Sequence, residues 1–258
     1  MLTGNRYRGQ TDYKSHCQAK KDSMQLKAIV IGATSGIGRE LIRVLHKKKY
    51  IVGAAGRRAD LLVEIKEELL TQIHIKEMDV TNSNAKEALQ SLIQEMDGID
   101  LIVISAGTGD LNVDWETEKQ IINTNVLGFA SMSNIAFQYF SEKGSGHLVG
   151  ISSIGAIRGG TAPAYNASKA FVTNYLQGLR LLATKQKKEI TITDIQPGFV
   201  DTQMAKGSGL FWITPADKAA NQIYAAIAGK RKHAYISKRW RVIAYLLRIL
   251  LDWLYHKL

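Results

Sequence analysis

The sequence predicts an α/β fold in which a parallel sheet carries helices on both faces, and three observations predict it. Short apolar runs of strand type alternate with longer stretches of helical periodicity along most of the chain. The first run passes through a glycine-rich turn directly into a helical pattern. Each polar motif that stands out falls at the carboxyl end of a strand-like run or on the helix after it, where open parallel sheets bind their ligands.

Leu26 to Ile31 is the first strand, followed by Gly32-Ala33-Thr34-Ser35-Gly36-Ile37-Gly38 and a helix from Arg39 to Lys47. Glycines let the backbone approach a pyrophosphate, and the free N–H groups at the helix start favour its charge. The second strand, Tyr50 to Ala55, ends in Gly56-Arg57-Arg58. A carboxylate at that strand end would hold the ribose 2′-hydroxyl of NAD, whereas arginines suit the 2′-phosphate of NADP. No Asp or Glu lies between Tyr50 and Arg58, so NADP(H) is favoured over NAD(H); the competing reading is two solvated arginines.

Alternation continues through a helix from Asp60 to Leu70, a strand from Ile73 to Met78 with Asp79-Val80 after it, and a helix from Asn84 to Glu95. The apolar strand Leu101 to Ser105 leads into Ala106-Gly107. A long helical stretch from Glu116 through Phe140 contains Asn123-Thr124-Asn125-Val126-Leu127-Gly128. Strand His147 to Ile151 delivers Ser152 and Ser153, and strand Ile190 to Ile195 delivers Pro197-Gly198-Phe199-Val200-Asp201-Thr202.

The helix from Ala164 to Leu182 places Tyr165 and Lys169 four residues apart, on one face. A Tyr hydroxyl ordinarily loses its proton near pH ~10, and a neighbouring positive charge lowers that value. The pair reads as a tuned acid/base. A surface Tyr beside a solvated Lys would have the same spacing, so the pair takes its meaning from the rest of the chain.

At 258 residues the chain is long enough for a full core, and one domain over residues 24–237 is expected. The net charge of +11 would suit nucleic acid if it were spread over the body. It is not: residues 1–23 hold five Lys/Arg against two Asp/Glu, and residues 229–258 hold eight against one, which leaves the middle close to neutral. No nucleic-acid partner is expected. Cys17 is the single cysteine, which excludes an internal disulfide and a cysteine-based metal site and fits a cytoplasmic setting. Residues 1–23 are polar and basic without a signal-peptide run, so a disordered tail is expected there, with Met24 a candidate start.

Taken together, the Gly32–Gly38 turn, Asp79-Val80, Ser105-Ala106-Gly107, Asn125-Val126-Leu127-Gly128, Ser152-Ser153, Tyr165 with Lys169, and Pro197-Gly198 with Thr202 resemble the short-chain dehydrogenase/reductase family over residues 26 to about 237. The resemblance implies a Rossmann-type doubly wound, mostly seven-stranded parallel sheet. It also implies an oxidoreductase that interconverts a carbonyl and a secondary alcohol without a metal. Tyr165 would be the general acid or base, Lys169 would lower its pKa and hold the nicotinamide ribose, a serine would polarise the substrate oxygen, and Asn125 would hold a water in the proton relay. Cofactor contacts would come from Gly32, Thr34, Ser35, Gly36, Ile37, Gly38, Arg57, Arg58, Asp79, Val80, Ser105, Ala106, Gly107, Tyr165, Lys169, Pro197, Gly198, Val200 and Thr202.

Two positions depart from the family pattern. Ser105 stands where an Asn usually begins Asn-Ala-Gly, so a carboxamide is lost from the sheet edge. Position in the serine pair selects Ser153 as the substrate-polarising residue, whereas its spacing from Tyr165 selects Ser152; Ser153 is expected, with the Gly155–Gly160 loop absorbing the shorter spacing. These departures leave a second reading, a dinucleotide sensor or membrane-tethered scaffold whose chemistry is dispensable.

The segment from Gln203 to Asp217, with Met204, Leu210, Phe211, Trp212 and Ile213, lies where the family carries its lid, and its apolar residues point to a small hydrophobic substrate. Ala170, Phe171, Tyr175, Leu176 and Leu179 give the Tyr165 helix more apolar surface than one sheet contact requires, which predicts a homo-oligomer, dimer or tetramer. Residues 238–258 read as an amphipathic helix, with Arg241, Tyr245, Arg248, Asp252 and His256 as a narrow polar stripe and Lys230, Arg231, Lys232, Lys238 and Arg239 before it. It either lies on an anionic membrane surface as a peripheral anchor or packs as an oligomer arm.

Overall fold

The computed structural model describes residues 25–205 and 211–255. The expected tail over 1–23, Met24, Cys17, the lid residues Gly207, Gly209 and Leu210, and His256 lie outside the described residues.

Seven strands are formed, β1 (Lys27–Ile31), β2 (Ile51–Gly56), β3 (Ile73–Glu77), β4 (Leu101–Ile104), β5 (Ser145–Ile151), β6 (Glu189–Pro197) and β7 (His233–Ile236). All pair in parallel, in the order β3-β2-β1-β4-β5-β6-β7. The order reverses between β1 and β4, opening a crevice at their carboxyl ends. The helices are α1 (Gly36–Lys47), α2 (Ala59–Leu69), α3 (Ala85–Glu95), α4 (Trp115–Ile122), α5 (Phe129–Lys143), α6 (Pro163–Lys185), α7 (Ala216–Ala228), α8 (Trp240–Ile249) and the single turn α9 (Asp252–Tyr255).

Because successive strand residues face opposite ways, each apolar run feeds two cores. Ala28 and Val30 pack with Leu41, Ile42 and Leu62 of α1 and α2 and with Ile223 of α7. Ile29 and Ile31 pack on the other face with Leu89 and Leu92 of α3, Phe129 and Phe140 of α5, and Leu176 of α6. This two-sided burial explains why the strands read as continuous rather than alternating hydrophobic runs.

Four expectations need correction. The stretch from Glu116 through Phe140 is not one α-helix: α4 starts at Trp115, capped by Asp114 accepting from the Thr117 amide at 3.0 Å, and a π-helical turn at Asn123–Gly128 separates it from α5. That wider turn buries Thr124 and Asn125. On α6, Leu176 and Leu179 belong to the chain's own core, so less of that helix is available to a partner than its composition implied. The C-terminal helix breaks at Leu250, whose φ of −65° and ψ of 129° are extended. Beyond the break Asp252 pairs with Arg158 and the Tyr255 hydroxyl donates to the Gly159 carbonyl at 2.5 Å, contacts that override the helical periodicity. Finally, the residues expected to form one apolar side of α8 are divided: Trp240 and Ala244 are buried, whereas Val242, Leu246 and Ile249 are exposed together with Arg241 and Arg248 of the polar stripe.

Candidate functional site

The chain leaves β1 at Gly32 (φ +89°), whose amide, like that of Ala33, donates to the Ala55 carbonyl at 2.8 and 3.0 Å. The turn is so tight that a Cβ on Gly38 would meet the Gly32 carbonyl oxygen at 2.1 Å. Helix α1 then begins with no acidic residue in its first turn and with the Ser35 side chain not capping it, so its amino terminus keeps its positive end unneutralised. Ile37 packs against the core beneath.

Arg58, rather than Arg57, closes over this turn. Its Nη2 donates to Thr34 Oγ1 at 2.8 Å and Ser35 Oγ at 2.7 Å, and its Nε lies 3.2 Å from Thr34 Oγ1. Arg57 turns elsewhere, its Nη1 standing 3.8 Å from Asp79 Oδ2. Asp79 Oδ1 accepts from the Thr81 amide and hydroxyl at 2.9 and 2.8 Å, while Val80 is buried against Gly128. A guanidinium beside two hydroxyls and an uncapped helix start form a cradle for phosphate groups, and among these residues only Asp79 brings an opposing charge.

On the other side of the crevice, the amides of Ser105 and Ala106 both donate to the Ile31 carbonyl at 2.8 Å, which holds Ser105-Ala106-Gly107 beside Gly32. From β6, Pro197 and Gly198 turn back toward α1, and Thr202 reaches the immediate neighbourhood of Gly36. Val200 is buried and bridges to Thr214.

Deeper in, α6 carries Tyr165 and, one turn on, Lys169. Lys169 is buried, donates to the Ile151 carbonyl at 3.1 Å and lies 5.8 Å over the Tyr165 ring. Burial pushes its ammonium down to about 8, while the Asp194 carboxylate pulls the other way. The Tyr165 phenol moves the other way. Burial pushes the phenol above its ordinary value, and the influence that lowers it is the hydrogen bond with Ser153.

The two serines at the end of β5 face opposite ways. Ser152 donates to the buried Asp194 carboxylate and lies 3.1 Å from the Ile195 carbonyl. Ser153 turns toward Tyr165, its Oγ accepting from the Gly155 amide at 3.0 Å. Asn125, on the π-helical turn, accepts from the Thr108 amide at 2.8 Å and donates to the Thr108 carbonyl at 2.7 Å and Ser168 Oγ at 3.0 Å. Ser168 in turn donates to the Tyr165 carbonyl at 2.7 Å, so Asn125 ties the loop after β4 to the start of α6. The residues named from the sequence thus gather around the carboxyl ends of the strands, with Ser152 pointing into the sheet and Ile37 and Val80 packed into the protein.

Asp194 was missed. It is 2% exposed, accepts from Ser152 and from Gln196 Nε2 at 3.1 Å, and lies 3.4 Å from His233 Nδ1. The available signal was an acidic residue inside the strand-like run from Ile190 to Ile195, where burial of a carboxylate costs several kcal/mol unless partners compensate it.

Comparison with known proteins follows from this geometry. A family model described as short chain dehydrogenase matches residues 26–210. An uncharacterised oxidoreductase of Myxococcus xanthus is 37% identical over 187 residues, 69% of this chain and 73% of that protein. The NADP-dependent 3-hydroxy acid dehydrogenase YdfG of Escherichia coli is 34% identical over 183 residues, 67% of this chain and 71% of its own length. Among solved structures, a short chain dehydrogenase from Burkholderia cenocepacia in complex with NADP shares the fold, with a TM-score of 0.77 at 21% identity over 91% of this chain and 98% of that one.

Proposed function

The chain belongs to the short-chain dehydrogenase/reductase family of oxidoreductases, and from that premise we propose that it interconverts a carbonyl and a secondary alcohol on a small hydrophobic substrate, using NADP(H). The observation that carries this reading is the meeting of Ser153, Tyr165 and Lys169 in one buried cluster, with Asn125 bracing it. When bound, the nicotinamide cofactor supplies or accepts the hydride at the substrate carbon.

The remaining work falls to the chain's own groups. With its phenol held above the ordinary value, Tyr165 is protonated at neutral pH and donates to the substrate oxygen in the reductive direction; it takes the proton back in the oxidative one. Ser153 aims a second donor at the oxygen where charge develops. Lys169, mostly protonated at pH 7 with its ammonium near 8, favours the phenolate left behind.

NADP(H) rather than NAD(H) is supported by Arg58 lying over Thr34 and Ser35, with Arg57 nearby. The 3-hydroxy acid dehydrogenase relative is named NADP-dependent, which agrees. The Gly32–Gly38 turn would hold the pyrophosphate, Asp79 and Val80 the base end, and Ser105-Ala106-Gly107 with Pro197, Gly198, Val200 and Thr202 the nicotinamide end. Exposed Met204, Phe211, Trp212 and Ile213 support an apolar substrate, and exposed Leu127, Leu181 and Leu182 beside Phe171 and Tyr175 support a homo-oligomer through the outer face of α6.

The test is a panel of ketones and aldehydes with NADPH. Tyr165→Phe is expected to lower turnover ~10²–10⁴-fold while cofactor affinity by titration stays unchanged. Full activity in that variant removes Tyr165 from the proposed role, and a chain that binds NADPH but transfers hydride to no substrate favours the sensor reading.

A further inference from the structure

Helix α8 touches the body through one edge. Trp240 and Ala244 are buried, Ile243 and Leu247 half-buried, while Val242, Leu246 and Ile249 stand 59%, 49% and 58% exposed at i, i+4 and i+7. These three therefore form a single ridge on the side away from the protein. Past the break at Leu250 the exposed apolar series continues with Leu251 and Trp253. No described helix is long and apolar enough to cross a bilayer, so the ridge is suited to lying on a surface.

Two features say what kind of surface. Lys238, Arg239 and Arg241 are all exposed around the start of the helix, Arg248 is exposed near its end, and residues 238–258 carry five basic side chains against one acidic. A second copy of the chain would have to present matching acidic groups to such a ridge, whereas an anionic bilayer offers apolar depth and negative headgroups together.

The arm is also wired to the site. The Trp240 indole lies so close over Gly198 that a Cβ there would fall 2.0 Å from the ring. Its ring centroid is 5.1 Å from that of Phe211, 6.1 Å from that of Trp212 and 5.3 Å from that of Phe199, so the lid edge is packed onto the base of the arm. The Arg239 guanidinium lies 5.4 Å over the Trp212 ring. At the far end, Asp252 pairs with Arg158, and that guanidinium stands 4.9 Å over the Tyr255 ring, on the loop that follows Ser153.

We infer that the segment from Lys238 to Tyr255, together with the lid edge Phe211–Ile213, is a docking surface for an anionic phospholipid bilayer, which sets the mouth of the crevice against the lipid. The docking itself does not depend on the proposed reaction; only the entry of an apolar substrate from the bilayer does.

Co-sedimentation of the full chain with phosphatidylcholine vesicles, with and without phosphatidylserine, tests it. Binding is expected only with the anionic lipid and is expected to weaken with salt. Replacing the outward pair, Leu246→Asp with Ile249→Asp, should weaken it about a hundredfold. Reversing the charges, Lys238→Glu, Arg241→Glu and Arg248→Glu, should do the same at low salt. Both sets leave the buried edge of α8 intact, and an unchanged melting temperature and NADPH affinity serve as the folding control. The proposal is overturned if the full chain ignores anionic vesicles, if the outward pair binds them as well as the parent, or if that pair instead splits an oligomer while vesicle binding stays the same.

Discussion

The hydroxyl of Ser152, the residue just past β5, donates to the carboxylate of Asp194 on the neighbouring strand β6, and both groups are buried. That bond turns Ser152 into the sheet, and strand alternation then presents Ser153 to Tyr165. It also gives a buried carboxylate a partner and leaves its negative charge within reach of Lys169.

The first prediction separates the two serines. Ser153→Ala is expected to lower turnover ~10²-fold or more with an unchanged melting curve, since a donor to the substrate oxygen is lost. Ser152→Ala is expected to cost roughly 1–3 kcal/mol of stability by stripping a bond from a buried carboxylate. Chemical denaturation beside steady-state kinetics reads both, and the opposite pattern would exchange their roles.

The second concerns the arginines. Arg58→Ala is expected to weaken NADPH binding ~10-fold or more and NADH binding little, because a charge-assisted contact to the extra phosphate is removed. Arg57→Ala should do less, because that guanidinium stands toward Asp79 and not over Thr34 and Ser35. Calorimetric titration of both cofactors ranks the variants, and equal effects on NADH and NADPH would take Arg58 away from the 2′-phosphate.

Asp194→Asn keeps an acceptor for Ser152 and removes the charge that opposes the desolvation of Lys169. The ammonium, already down at about 8, is expected to fall further, moving the alkaline loss of kcat to lower pH by about one unit. A pH–rate profile identical to the parent's would limit Asp194 to a structural part.

His147 offers a stability test away from the site. Its Nε2 lies 2.8 Å from Thr193 Oγ1, and burial, with Lys230 adding to it, pushes its pKa down to about 4. The folded chain therefore binds this proton more weakly than the unfolded chain. The contribution is fully present above the unfolded value of 6.5 and is lost as pH falls from there toward 4. The unfolding free energy from urea titrations should decline across that window, by roughly 3 kcal/mol from this group alone. His147→Gln should flatten the decline, and equal slopes in both proteins would show that His147 is not responsible.

What the sequence made legible was local. The glycine turn, the Tyr165–Lys169 spacing and the serine pair each lie within a few residues, and their geometry follows from one helix or one strand end. Arg58 was visible as a type and a place, although its bonds to Thr34 and Ser35 depend on how β1 and β2 are set side by side. Asp194 was hidden because its meaning comes from Ser152, 42 residues away, and the break at Leu250 because its contact with Arg158 spans 94. Strand β7 has only four residues, too few for a period to emerge. The π-helical turn is invisible in composition, since the same apolar pattern runs through α4 and α5 on either side.

The indole stack at the base of the arm gives the molecule an optical gauge of its own state. Trp240 is 3% exposed and faces Trp212, whereas Trp115 and Trp253, the remaining two tryptophans, are each more than 60% exposed. Emission from the buried indole is blue-shifted and sheltered from aqueous quenchers, so the fraction of light that acrylamide fails to extinguish reports whether lid edge and arm are in register. Any separation of the lid edge from the arm would thus be read by stopped-flow fluorescence without a label attached.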